Sequence, residues 1–92
     1  MNQTVITAAR VGELILAGLP DAEVHVESDD NVHFAAQVVS GRFSGLRPIA
    51  RHQLVYQTLG ALMGREIHAL SIEALTPDER AGKGAGKAPG KY

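Results

Sequence analysis

Two stretches of alternating apolar and polar residues, 23–27 and about 33–40, are joined by Ser28-Asp29-Asp30-Asn31. No other feature limits the fold so tightly. A period of two belongs to a strand with one buried face, and Ser, Asp and Asn supply turn chemistry, so the pair predicts a β-hairpin. Val24 and Val26 share one face of the first strand, opposite Glu23, His25 and Glu27. In the second, Phe34, Ala36 and Val38 point to the core, while His33, Ala35 and Gln37 point outward.

On either side the period lengthens to that of helices. Thr4 can cap a first helix, in which Val5, Ala8, Val11, Gly12, Ile15 and Leu19 recur every three to four residues and Gly18 and Pro20 mark the end. Gly41, Gly45 and Pro48 interrupt the pattern, and a short helical turn is expected over 46–50. A longer helix follows, with Leu54, Val55, Leu59, Leu62 and Met63 along one stripe and Gly64 as its stop. A third strand is expected over 67–75. Thr76-Pro77-Asp78-Glu79 then has the composition of a capping box with proline in the first turn. From Ala81 onward the chain is mostly glycine, alanine and lysine, with nothing to bury, and reads as a disordered tail over 81–92. The order αββααβα predicts an α+β domain over 1–80, an α/β sandwich. A hairpin and a helical crossover build a three-stranded mixed sheet with helices on one face.

Ninety-two residues suffice for one core, and 45% hydrophobic against 21% charged residues is a globular composition. No run of about 18 apolar residues is present and residues 1–6 lack the pattern of a secretory signal, so a cytoplasmic chain with no membrane contact is expected. Cysteine is absent. The chain alone therefore lacks the thiolates that iron–sulfur clusters normally require, and it has no disulfide or thiol chemistry. Metal binding must rest on His25, His33, His52 and His68, helped by carboxylates or a partner's ligands.

Charge is distributed unevenly. Residues 1–40 hold one arginine against six acids, whereas residues 41–65 hold Arg42, Arg47, Arg51 and Arg65 and no acid. That middle segment is a candidate surface for an anionic partner, because the planar guanidinium suits phosphate or carboxylate. Arg47, Arg51 and His52, with Arg42, are the candidates. No nucleophile-bearing turn or phosphate-cradling glycine loop occurs, so binding rather than turnover is expected. A Gly-x-x-Gly clamp for RNA is missing too, and the outward sheet residues lack stacking aromatics.

Four motifs occur in order: Arg42-Phe43-Ser44-Gly45, Arg51-His52-Gln53-Leu54-Val55-Tyr56, Ile67-His68-Ala69-Leu70 and Thr76-Pro77-Asp78-Glu79. With the element order, they make the chain resemble the BolA family over roughly residues 4–80, in particular its YrbA/IbaG-type branch. Gln53, where relatives often carry a basic residue, and Arg80, where many carry an aromatic, depart from the pattern. The resemblance implies a class II KH-like fold and two roles. One is a non-enzymatic adaptor in iron–sulfur cluster assembly or trafficking and iron homeostasis, in which a monothiol glutaredoxin with glutathione shares a 2Fe-2S cluster. The other is a DNA-binding transcriptional regulator acting in stress response or morphology through its helix-turn-helix-like segment. His68 matches the family's shared histidine, and His33 the loop position that can supply a second ligand. A monomer or weak homodimer is expected.

Overall fold

The computed structural model describes residues 6–65, 67 and 69–83. Helix α1 (Ala8–Gly18) is capped by Thr7, whose Oγ1 accepts from the Arg10 N–H at 3.2 Å. The expected cap at Thr4 lies outside the described residues, and the helix starts later than its stripe suggested. The reason is local. Thr7 has extended backbone, and Ile6 just before it joins Val11, Ile15 and Leu19 in the core, so the buried stripe begins at the cap.

Strands β1 (Glu23–Glu27) and β2 (His33–Val39) form the hairpin and β3 (Ala69–Leu75) joins it, in the order β1-β2-β3. β1 runs antiparallel to β2, with His25 opposite Gln37, and β3 runs parallel to β2, with Ala69 opposite His33. The predicted faces hold: Phe34, Ala36 and Val38 are buried, whereas His25, Glu27, His33 and Ala35 are exposed. β3 was expected from residue 67; Ile67 instead makes an isolated bridge to Met63, while its side chain is fully buried.

The connection from β2 to β3 departs most from expectation. No separate helical turn stands over 46–50, where residues 48–50 already belong to the long helix; the short turn lies earlier, a 3-10 turn at Gly41–Phe43 capped by Ser40, whose Oγ accepts from the Arg42 N–H. Asp21 backs this cap by accepting from the Ser40 hydroxyl and the Gly41 N–H. Helix α2 (Pro48–Leu59) then ends at Gly60, which takes φ +56°, before the expected stop at Gly64. Helix α3 (Pro77–Lys83) has the predicted reciprocal cap: the Thr76 N–H donates to Glu79 and the Glu79 N–H donates to Thr76 Oγ1. It continues through Lys83, beyond the boundary expected at residue 80. Residues 84–92, the remainder of the expected tail, lie outside the described residues.

Helix α1 packs on β1 and α2, and α2 packs on β3, so the long helices share one face of the mixed α+β sheet. Their crossing is tight at Gly18, where an added Cβ would stand 2.5 Å from Thr58 Cγ2 and 3.0 Å from its Cβ. Thr58 is short, β-branched and tied by its hydroxyl to the Val55 carbonyl, so it has little room to yield. Gly18→Ala is expected to cost roughly 1–3 kcal/mol by forcing the helices apart. At Gly12 the same methyl would meet Val26 at an ordinary 3.6 Å. Gly12→Ala should therefore gain up to about 1 kcal/mol from helix propensity. Urea midpoints of the two variants must move in opposite directions. Among the described residues no helix is long and apolar enough to cross a membrane.

Candidate functional site

The hairpin loop assembles itself around two side chains. Ser28 Oγ donates to the His33 carbonyl and accepts from the Asn31 N–H, which places Asn31 at φ +59°, a conformation asparagine tolerates. Asp30 Oδ1 accepts from the backbone N–H groups of Val32 and His33, both at 2.9 Å. Its other oxygen, Oδ2, lies 2.8 Å from His33 Nδ1. The His33 backbone N–H, then the His33 ring and the Val32 N–H, hold the Asp30 carboxyl well below the usual carboxylate range. A depressed folded pKa adds stability above the unfolded value of about 3.9 and loses it as pH falls through the lower folded value. The loop therefore keeps its carboxylate through mild acid.

An ionised carboxylate can only accept, so His33 Nδ1 is the donor. In the neutral ring the lone pair is then on Nε2, which has no hydrogen-bond partner among the described residues. The ring is 68% exposed and borders a shallow, open hollow lined by Glu27, Ser28, Asp29, Ala35 and Ser71.

His25 lies on the same face with the opposite arrangement. Its Nε2, the outer ring nitrogen, is 2.9 Å from Glu27 Oε2 and is thereby occupied. His68 lies outside the described residues, although Ala69, next to it in sequence, is the register partner of His33. Among the described residues no group of three or more His, Asp or Glu side chains could hold a metal ion. His33 by itself offers one nitrogen donor.

The candidate anion-docking residues separate. Arg42 is exposed, 3.9 Å from Asp21. Arg47 is exposed, and neither its side chain nor that of the partly exposed His52 has a polar partner among the described residues. Arg51 corrects the sequence reading. Its side chain is only 12% exposed: Nε donates to the Leu46 carbonyl, Nη1 to the Ala74 carbonyl, and Nη1 and Nη2 both reach the Glu79 carboxylate. The hydrogen bonds it donates to Glu79 push its pKa up. Residues 47 and 51 would share a helix face, but Arg47 is the cap, with extended backbone, and leaves the helix before the pattern applies. Sequence reasoning also missed Asp30 as the partner of a histidine; an Asx-type turn followed by an imidazole was its available signal.

The family model described as BolA-like protein matches residues 20–79. A Vibrio cholerae protein named DNA-binding transcriptional regulator BolA is 47% identical over 60 residues, covering 64% of this chain and 57% of that protein. The chain thus spans little more than half of that relative's length. An Acinetobacter guillouiae protein from the rpoN-murA intergenic region is 35% identical, covering 80% of this chain and 89% of its own length, in keeping with the YrbA/IbaG-type branch. Among solved structures, a bolA homologue from Coxiella burnetii superposes with a TM-score of 0.75 at 39% identity, covering 83% of this chain and 97% of its own. The BolA domain of SufE1 from Arabidopsis thaliana superposes with a TM-score of 0.70 at 34% identity, covering 78% and 93%.

Proposed function

The chain belongs to the BolA-like family, and from that premise we propose that it is a non-enzymatic adaptor for iron–sulfur clusters. Its partner is a monothiol glutaredoxin carrying glutathione, and the two proteins share a 2Fe-2S cluster to which this chain lends His33 and His68. One observation supports this above the others: His33 has an Nε2 without a hydrogen-bond partner among the described residues and lines an open hollow, while its Nδ1 is held by Asp30. A bound imidazole whose other nitrogen is tied to a carboxylate is the common arrangement of metal-ligating histidine. A chain without cysteine must take its sulfur ligands from the partner. Imidazole in place of thiolate raises a cluster's potential. The occurrence of a BolA domain inside SufE1 is consistent with a module that works beside another protein.

Mixing the protein with cluster-loaded monothiol glutaredoxin is expected to change the visible absorption and circular dichroism spectra and to yield a complex on a sizing column. His68→Ala and His33→Ala should each diminish the change. His25→Ala should leave it intact, since Glu27 already occupies that ring's outer nitrogen. Unchanged spectra with no complex overturn the reading.

A second reading, DNA binding, is favoured by the name of the Vibrio relative and by exposed Arg42 and Arg47. With Arg51 turned inward, Arg42, Arg47 and Arg65 remain exposed in this segment. They limit the log–log salt slope to roughly −3. Arg47→Ala, not Arg51→Ala, is the clean probe. On this reading promoter DNA is retarded at physiological salt and the retardation weakens in Arg47→Ala; binding seen only at low salt and indifferent to sequence removes it.

A further inference from the structure

We propose that Asp30 is a positioning residue that sets the tautomer of His33, keeping the Nε2 lone pair outward for a metal held jointly with a partner. The inference rests on the adaptor reading for its biological use, but its chemistry belongs to the free protein. Asp30 Oδ1 is fixed by two backbone N–H groups, and Oδ2 lies 2.8 Å from His33 Nδ1. The carboxylate is anchored before any metal arrives, so the ring loses little freedom on binding. The opposite choice stands on the same sheet face. His25 pairs its Nε2 with Glu27, which leaves only the inner nitrogen with a lone pair. Two exposed histidines thus differ in which nitrogen is offered, and the difference is set by where each carboxylate stands.

Asp30→Asn discriminates this role from a structural one. The asparagine Oδ1 can still accept from the Val32 and His33 N–H groups, so the turn is retained. Its Nδ2, however, is a donor facing His33 Nδ1. The ring must then accept at Nδ1 and carry its proton on Nε2, which closes the outward lone pair. Asp29→Asn removes the same charge one residue away, where no hydrogen bond to His33 exists among the described residues, and serves as the control.

The test is long-range nitrogen–proton NMR of the histidine rings in the free protein, at a pH where the rings are neutral. Wild type and Asp29→Asn are expected to show His33 protonated on Nδ1, and Asp30→Asn to show it protonated on Nε2. Zn²⁺ added alone, followed at the His33 ring signals, should bind Asp30→Asn at least about tenfold more weakly than wild type. The visible spectrum with cluster-loaded glutaredoxin should weaken in parallel. A wild-type His33 protonated on Nε2, or Zn²⁺ affinities that agree between wild type and Asp30→Asn, overturns the positioning role whatever the glutaredoxin result. If the tautomer and Zn²⁺ differences hold while wild type ignores the loaded glutaredoxin, the adaptor reading fails and the positioning role stands.

Discussion

Arg51→Ala is expected to destabilise the protein by about 2–4 kcal/mol, read as a fall in the urea midpoint at unchanged slope. The guanidinium makes four hydrogen bonds, to two carbonyls and to both oxygens of Glu79. Removing it strands the Leu46 and Ala74 carbonyls and takes one partner from Glu79, which also serves the cap of α3 through Thr76. Glu79 is 44% exposed and can rehydrate, so the cost stays below that of breaking a fully buried pair. Arg51→Lys should recover less than half of the loss. An ammonium keeps the charge but cannot reproduce a planar fork that reaches three partners at once. An Arg51→Lys protein as stable as wild type refutes this account. Loss of nucleic-acid binding in Arg51→Ala then reports on folding, not on contact.

Phe43→Ala is expected to cost more, about 3–5 kcal/mol. Phe43 is fully buried in the core cluster although it sits in the glycine-rich connection after β2, and Arg51 lies over its ring at 6.0 Å. Truncation loses the transfer free energy of the ring and leaves a cavity that the 3-10 turn, pinned by Ser40 and Asp21, cannot collapse to fill. A domain of this length has roughly 5–14 kcal/mol of stability, so the variant loses a large share of it. Phe43→Leu should cost less, since much of the volume is kept. Equal urea midpoints for Phe43→Ala and wild type would show that the ring is not packed as described.

The histidine half of the candidate site was more legible in the sequence than the arginine half. His33 was identifiable as an outward residue at the start of a strand because alternation alone assigns faces, and register then follows from the turn. Asp30 was visible only as a turn residue. Its second oxygen acquires a role because the turn returns the chain within reach of the imidazole three residues on. The arginine segment misled because charge per stretch counts side chains without saying where they go. Arg42 and Arg47 stayed outside, whereas Arg51 was drawn in by the Ala74 and Leu46 carbonyls and by Glu79.

Sequence by itself determined what depends on near neighbours: the hairpin and its faces, the α1 stripe, the Thr76–Glu79 cap and the family. Each is written within a few residues, where period and hydrogen-bonding reach suffice. Only the tertiary structure decided the burial of Arg51, whose partners lie 23 and 28 residues away, the Gly18–Thr58 crossing, and the Asp21 tie to Ser40 across 19 residues. Local pattern says which face is apolar. Which polar group ends beside a given carbonyl is settled when the layers close, since pairing it there avoids leaving a buried group unsatisfied.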